Sequence, residues 1–280
     1  RGGALRRGLA TAVRAALCER AEMLPTKAAL VTRGAGDAPG HEWNLAQLCD
    51  QSGAVGSGLL ELVKPGQTVA AAVGSSAERI ALQLGAASAG LRLADAGLGL
   101  TKEGLTKILK EQSASILVVT PEQLSVVHEV LGPLGSRSTV QKFDQFPELK
   151  FVVQTGTAPV PGTHRFKDIL VYYPLEDKLA ELKDSDEPFL VTVDPKSGAV
   201  SGELTQKQAL ENGRKKSEEI KIKADSRVLF KAKKDVAANL CCGTLGCALH
   251  SALLVVPTDQ LDDSAVAQLK EKDNCSAVLA

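Results

Sequence analysis

Short apolar runs alternate along the chain with longer segments whose apolar residues recur at helical spacing. The run Ile116-Leu-Val-Val119 is apolar throughout, which is typical of a strand buried on both faces. After Asn44, a residue type that caps helices, leucine and valine recur at near-helical spacing as far as Leu62, so this segment predicts a helix. The glycines at 53–58 lie inside this pattern and predict close helix packing rather than phosphate binding.

The same alternation continues to the end of the sequence. It predicts strands at 69–73, 91–93, 116–119, 149–153, 169–172, 189–193, 228–230, 253–256 and 276–279. It predicts helices at 45–62, 76–89, 101–112, from 121 onward, 175–183, 205–219, 236–250 and 262–272. This order indicates an α/β fold with a mostly parallel sheet and helices on both faces. Such sheets bind ligands at the carboxyl ends of their strands.

Charge balance and aromatic content argue against a nucleic-acid-binding protein. Lys and Arg number 33, Asp and Glu number 33, and the formal net charge is zero, whereas proteins that bind nucleic acids usually carry a basic surplus. Aromatic residues make up only 3% of the chain, too few for a surface on which bases stack. We therefore expect no nucleic-acid partner.

The first twenty residues are rich in arginine and poor in acid. They contain five Arg and a single acidic residue, Glu19, among Ala, Leu, Val and Thr. This composition resembles an organellar transit segment, or the mature end left after its removal, although an exposed basic helix would share it. We therefore expect a basic N-terminal extension over 1–21, a folded domain over 22–280 and a mitochondrial location.

No residue between Asp235 and Asp259 carries a formal charge. Polar residues and glycines dilute this stretch, and polar groups are costly at mid-bilayer. The pattern therefore favours a buried helix followed by a buried strand, and it leaves open whether residues 236–258 touch a membrane.

The six cysteines contain no Cys-x-x-Cys pair and are not spaced like a disulfide framework, which favours a reducing compartment. Cys241, Cys242 and Cys247 lie close to His250 in sequence. Their spacing matches no common zinc pattern and their flanks are apolar, so we expect buried thiols and no metal site.

A series of short segments occurs in an informative order. Val63-Lys-Pro-Gly-Gln-Thr-Val69 has the form of a Lys-Pro-Gly-Asp-x-Val strand entry, and Gly74-Ser-Ser76 has the form of an Asn-Ser turn. The series also includes 22–31, 42–45, 86–90, 100–109 and 115–119. In this order the segments resemble the adenylate-forming enzymes, the AMP-binding and acyl-CoA synthetase superfamily. The resemblance begins near Glu22 and implies a truncated member, limited to the first part of that family's large domain. The family's later adenylate-binding strands and its small C-terminal domain, which normally supplies a catalytic lysine, have no counterpart in these residues.

The segment 191–205 stands where the family carries a phosphate loop rich in Ser, Thr and Gly. The resemblance retains Ser197, Gly198, Gly202 and Thr205 as remnants of that loop. Proline, which has no N–H to donate, replaces the first glycine at 195, valine replaces the proline at 200, and serine replaces the lysine at 201. Asp194 adds a negative charge where phosphates would bind. The resemblance therefore implies a degenerate loop, no catalytic residue, no bound cofactor and no enzyme activity.

These observations favour a non-catalytic accessory subunit of a large mitochondrial assembly, with ATP synthase or a respiratory complex as the expected assembly. Its partners would be other protein subunits, on the matrix side or peripheral to the inner membrane. The stretch 207–234 is moderately basic, which leaves contact with anionic lipid open. Two alternatives remain: part of an AMP-forming acyl-CoA ligase completed by another chain, and a module that binds acyl-CoA or lipid.

Overall fold

The computed structural model describes residues 11–34, 40–135, 142–172, 176–231, 234–258 and 261–279, with backbone alone at 176 and 177. The helices are α1 (Ala12–Met23), α2 (Leu45–Leu62), α3 (Ala77–Ser88), α4 (Lys102–Glu111), α5 (Leu124–Leu131), α6 (Glu176–Glu181), α7 (Gln206–Glu219), α8 (Val236–Leu249) and α9 (Asp263–Lys272). The strands are β1 (Ala28–Arg33), β2 (Glu42–Asn44), β3 (Thr68–Ala72), β4 (Arg92–Asp95), β5 (Ala114–Val119), β6 (Phe151–Gln154), β7 (His164–Arg165), β8 (Leu190–Val193), β9 (Val200–Leu204), β10 (Arg227–Phe230), β11 (Leu253–Pro257) and β12 (Ala277–Leu279). Two 3₁₀ helices cover Pro121–Gln123 and Phe166–Ile169.

Within these residues the strands form two sheets. One has the order β12-β10-β11-β1-β2, and the other has the order β7-β6-β5-β3-β4-β8-β9. All neighbouring strands run parallel except β1 with β2 and β8 with β9. The predicted α/β fold with mostly parallel strands is therefore confirmed, although the strands divide between two sheets rather than one.

The main apolar core lies between the two sheets and contains the helices that separate them. It joins Val69 and Ile116 of the larger sheet to Leu30 and Leu254 of the smaller one, through buried residues of α1, α2, α3 and α8. A second core packs α4 and α5 on the outer face of the larger sheet. A third packs α9 on the outer face of the smaller sheet. Both sheets are thus covered on both faces, as near-continuous apolar strands require.

Glycines allow α2 to approach its neighbours closely, as the pattern at 53–58 predicts. A Cβ on Gly85 of α3 would lie 2.8 Å from the Cβ of Val55. A Cβ on Gly58 would lie 1.5 Å from the carbonyl oxygen of Ile169. The backbone beyond Ile169 continues across α2, where the Val171 N–H donates to the Ala54 carbonyl at 3.1 Å. The helix therefore serves as a packing surface for both α3 and the loop that follows β7.

A buried ion pair joins α3 to β4. Arg79 donates from Nε and Nη2 to both carboxylate oxygens of Asp95, at 3.0 and 2.8 Å. Gln83 donates to Asp95 at 2.8 Å and to the Ala237 carbonyl at 3.0 Å, and the N–H of Gly97 also donates to Asp95. The network therefore connects α3, β4 and the start of α8 across the interior of the molecule.

The middle of the chain departs from the predicted elements. The strand predicted at 169–172 is wrong, because Phe166–Ile169 form a 3₁₀ helix and the following residues pack on α2 instead of pairing in a sheet. Strand β9 lies in the segment that resembles a phosphate loop, where the sequence pattern predicts no strand beyond residue 193. The helix predicted from 121 begins as the 3₁₀ turn Pro121–Gln123 and becomes α-helical at Leu124.

Helix α1 crosses the boundary drawn after residue 21. Val13 and Leu17 are buried in the main core, and the Val13 N–H donates to Gln206 Oε1 at 3.0 Å. Residues 12–21 are therefore packed with the domain that follows them. Residues 1–10 lie outside the described part of the structure, and the assignment of this region as a targeting segment stays a prediction.

The uncharged stretch 236–258 forms α8 followed by β11, which confirms the predicted buried helix and strand. Every residue of β11 is buried, and Cys241, Cys242 and Cys247 are buried on α8. Among the described helices, none combines the length and apolar character that a bilayer crossing needs.

Candidate functional site

The segment that resembles a phosphate loop forms a β-hairpin at the edge of the seven-stranded sheet. Strands β8 and β9 pair antiparallel, with Leu190 opposite Leu204 and Val193 opposite Val200. The turn between them runs from Asp194 to Ala199 and is exposed except for Pro195 and Gly198. The candidate site is therefore a surface turn next to the carboxyl end of β8.

The carboxylate of Asp194 occupies the centre of this turn. Its Oδ1 accepts hydrogen bonds from the backbone N–H of Lys196 at 3.1 Å and of Ser197 at 2.7 Å. It also accepts a bond from the Ser197 hydroxyl at 2.7 Å. These are the groups, backbone N–H and hydroxyl, with which a phosphate loop surrounds phosphate oxygens. In this chain they bind a carboxylate that is part of the loop itself.

The other backbone donors of the turn are also used within it. The N–H of Gly198 donates to the Asp194 carbonyl and the N–H of Asp194 donates to the Ala199 carbonyl, both at 2.9 Å. The N–H of Ala199 donates to the Ser197 hydroxyl oxygen at 3.3 Å. Gly198 has a φ of +67°, in the left-handed region that glycine tolerates best. The turn thus satisfies its donors without an external ligand.

The hydrogen bonds around Asp194 favour its charged form. The Ser197 hydroxyl bond is the main cause that holds the pKa of Asp194 below its ordinary value, and the backbone bond from Ser197 acts in the same direction. The carboxylate therefore remains negatively charged at neutral pH, and an incoming phosphate would meet a like charge.

Helix α4 holds the turn in place from one side. The Thr101 N–H donates to the Pro195 carbonyl at 3.2 Å, and the Thr101 hydroxyl donates to the Lys196 carbonyl at 2.8 Å. A Cβ on Gly104 would lie 2.0 Å from the Pro195 carbonyl oxygen, so the first turn of α4 contacts the hairpin directly. Thr101 also caps α4 by accepting from Gly104, which couples the cap of this helix to the hairpin.

The four predicted loop remnants do not converge. Ser197 and Gly198 lie in the turn, whereas Gly202 lies inside β9 opposite Thr192. Thr205 caps α7 in a capping box with Gln208, as the sequence predicts for the start of that helix. Ser201, at the position of the family's lysine, donates its hydroxyl to the Thr192 carbonyl. The sequence alone did not show that Asp194 would take over the turn's donors.

An open groove of about 420 Å³ lies along the exposed face of α4, beside the hairpin. It is lined by Lys102, Glu103, Thr106, Lys107, Lys110 and Glu111. Acidic and basic groups are interspersed, and Lys107 pairs with Glu111 at 3.8 Å. The groove therefore offers no concentration of positive charge for a polyphosphate.

Metal ligands are not brought together in the described ranges, where no three His, Cys, Asp or Glu side chains are grouped to hold an ion. Burial raises the pKa of the Cys247 thiol to about 12 and that of Cys242 to about 11. Thiols with raised pKa values are poor metal ligands and poor nucleophiles, because the thiolate is the reactive form. These cysteines therefore act as apolar core residues of α8.

The family of AMP-binding enzymes matches residues 17–192, more than half of the chain. The chain belongs to this family. The match ends on β8, immediately before the turn that begins at Asp194. No curated protein matches the sequence.

Several solved structures share the fold of this chain. The apo structure of MbtA from Mycobacterium smegmatis superposes with a TM-score of 0.74 at 20% identity, over 95% of this chain and 47% of that one. A long-chain-fatty-acid CoA ligase, so described, from Rhodopseudomonas palustris superposes at 0.73 with 17% identity, over 96% and 63%. The Mycobacterium tuberculosis fatty acyl CoA synthetase superposes at 0.69 with 16% identity, over 95% and 48%. The chain thus spans about half to two thirds of the length of these relatives, and the likeness concerns the fold.

Proposed function

We propose that this chain is a non-catalytic protein of the AMP-binding fold that acts as an accessory subunit in a mitochondrial assembly. The observation that carries the non-catalytic part is the position of Asp194, whose carboxylate takes the N–H groups of Lys196 and Ser197. Oriented donors of this kind typically contribute about 10²–10³-fold each to the rate of a reaction that develops negative charge. A chain that uses them internally lacks this contribution to phosphate chemistry.

The accessory role is supported by two features of the chain. The first twenty residues have the arginine-rich composition of a mitochondrial targeting segment. Strand β9 lies at the edge of the larger sheet with Val200 and Ser201 exposed, and edge strands offer unpaired backbone groups to another chain. ATP synthase and the respiratory complexes are the assemblies that we propose first.

The decisive measurement is ATP binding and pyrophosphate exchange with the full chain, Mg²⁺ and a panel of carboxylic acids. We expect no exchange above background and no ATP binding in calorimetry. Asp194→Gly removes the internal acceptor and should produce ATP binding that calorimetry detects, since two N–H donors become available. Asp194→Asn retains an acceptor oxygen without the charge, so it separates occupation of the donors from charge repulsion.

Turnover by the unaltered chain that Lys196→Ala or Ser197→Ala abolishes would contradict the non-catalytic proposal. Equal ATP binding by the unaltered chain and Asp194→Gly would show that the internal carboxylate is not the obstacle. If Asp194→Asn increases ATP binding as much as Asp194→Gly does, the negative charge of Asp194 is what prevents binding.

The assembly proposal is tested by affinity purification from isolated mitochondria followed by mass spectrometry. We expect the chain to co-purify in fixed stoichiometry with subunits of one inner-membrane complex. A reporter fused to the natural N terminus through residue 21 should enter mitochondria, and replacing Arg1, Arg6 and Arg7 by Gln should reduce import. A cytosolic reporter together with a monomeric chain in mitochondrial extracts would contradict this proposal.

A second candidate is a part of an AMP-forming acyl-CoA ligase. The family match over 17–192 favours it, because the parent fold is retained over nearly the whole chain. Pyrophosphate exchange by the complex purified from cells, but not by the chain alone, would support this candidate over the first.

A further inference from the structure

Two cysteines on neighbouring helices have their sulfur atoms almost in bonding range. The Sγ atoms of Cys18 on α1 and Cys49 on α2 lie 2.8 Å apart, and both residues are reduced in this structure. A disulfide bond has a sulfur separation of about 2.05 Å. Less than an ångström of movement therefore separates this pair from a covalent bond.

The packing of α1 on α2 fixes the approach of the two sulfurs. One helical turn away, Arg14 of α1 lies over Gly53 of α2, where a Cβ would be 2.9 Å from the Arg14 Nη1. From the contact of 14 with 53 to the contact of 18 with 49, residue numbers rise along α1 and fall along α2. The two helices therefore run antiparallel. Both Arg14 and Cys18 are buried. The absence of a side chain at Gly53 lets the helices come close enough for the sulfurs to meet.

We propose that Cys18 and Cys49 are a modification site, a reversible disulfide that fastens α1 to α2 when a low-molecular-weight disulfide such as glutathione disulfide is the oxidant. The thiolate of Cys49, the more exposed of the two, attacks one glutathione sulfur and releases one glutathione thiolate. The thiolate of Cys18 then attacks the Cys49 sulfur and releases the second glutathione. The protein loses two thiol protons and two electrons, and the oxidant becomes two molecules of glutathione.

The environment of the pair determines how fast this exchange occurs. The hydrogen bond with Cys18 is the main cause that raises the pKa of Cys49, and burial adds to it, while the positive charge of Arg14 acts against both. Exchange requires the thiolate, so oxidation is slow at neutral pH and accelerates as the pH rises. We therefore expect the disulfide to form on prolonged rather than brief exposure to the oxidant.

The test is incubation of the full chain with glutathione disulfide, followed by denaturation, alkylation of thiols and tryptic mapping. Six cysteines are present, and we expect the number of alkylated thiols to fall to four. The disulfide should join peptide 15–20 to peptide 34–79. Closure of a loop of this length should raise the thermal midpoint by roughly 5–8 °C, and dithiothreitol should reverse the shift.

Matched variants distinguish this pair from the other thiols. Cys18→Ser should stop at a mixed disulfide of glutathione on Cys49, whereas Cys275→Ser should behave as the unaltered chain. Cys18→Ala and Cys49→Ala serve if a serine disturbs folding. Six alkylated thiols after oxidation, or a disulfide between other cysteines, would overturn the proposal. A disulfide between 18 and 49 that leaves the thermal midpoint unchanged would contradict the proposal that the bond stabilises the attachment of α1 to α2.

Discussion

Replacing Asp95 by alanine is expected to lower the free energy of unfolding by about 3–5 kcal/mol. The carboxylate accepts from Arg79, Gln83 and Gly97 in the interior, and the Arg79 side chain is only 3% exposed. Its removal leaves a guanidinium without its counter-charge in a site that water does not reach. Urea unfolding followed by circular dichroism measures the change.

The matched control is Asp168→Ala. Arg165 donates from Nε and Nη2 to both oxygens of Asp168, as Arg79 does to Asp95, but this pair lies at the surface. Exposed ion pairs contribute at most about 1 kcal/mol, so the control should change stability little. Equal losses in the free energy of unfolding for the two variants would show that burial does not determine how much the Arg79–Asp95 pair contributes to stability.

Gly58→Ala is expected to destabilise the chain by about 3 kcal/mol, at the upper end of what an added methyl group costs in a packed interior. The new Cβ would lie 1.5 Å from the Ile169 carbonyl oxygen and 2.7 Å from its carbon. Backbone atoms cannot rotate away as a side chain can, so α2 and the 3₁₀ helix Phe166–Ile169 must separate. The gain in helix propensity on replacing glycine, about 1 kcal/mol, offsets only part of this loss.

Gly202→Ala is the control for Gly58→Ala, because a Cβ at Gly202 meets no atom within 4 Å. Differential scanning calorimetry of both variants should show a lowered midpoint for Gly58→Ala and little change for Gly202→Ala. A midpoint for Gly58→Ala at or above that of the unaltered chain would contradict the close contact between Gly58 and Ile169.

Local signals in the sequence predicted much of the fold. Asn44 and Thr205 both cap helices in capping boxes, as their positions before helical patterns predict. The apolar run at 116–119 lies inside β5, whose residues are all buried. These elements could be predicted because periodicity and capping depend on residues a few positions apart.

Features that depend on distant contacts could not be predicted in this way. The side chains at 170–172 are largely apolar and their pattern is typical of a strand. The Val171 N–H nevertheless donates to a carbonyl of α2 rather than to a neighbouring strand. Strand β9 has the polar, glycine-containing sequence Val-Ser-Gly-Glu-Leu, and its pairing with β8 defines it. The Arg79–Asp95 pair likewise joins residues whose proximity follows only from the packing of α3 on β4.

The candidate site was predicted in part. The sequence identifies Asp194 as a negative charge that opposes phosphate binding. In the turn this carboxylate accepts hydrogen bonds from the N–H and the hydroxyl of Ser197. The sequence did not reveal that this carboxylate accepts hydrogen bonds from the backbone N–H groups of residues 196 and 197. That arrangement depends on the turn geometry at Gly198 and on the contact with Thr101 of α4.

The path of the chain between the two sheets bears on how the molecule assembles. The chain leaves the smaller sheet after β2 and returns to it at β10, so the whole larger sheet is an insertion between these strands. Leu30 of β1 pairs with Leu254 of β11, and closing so long a loop is entropically costly and slow. Within the larger sheet, Leu204 of β9 lies level with Val69 of β3, because Leu204 pairs with Leu190, Leu190 with Leu93 and Leu93 with Val69. Formation of this sheet therefore shortens that loop. We therefore expect the smaller sheet to close after the larger one, since synthesis from the N terminus leaves β1 without its parallel partner until β11 has been made.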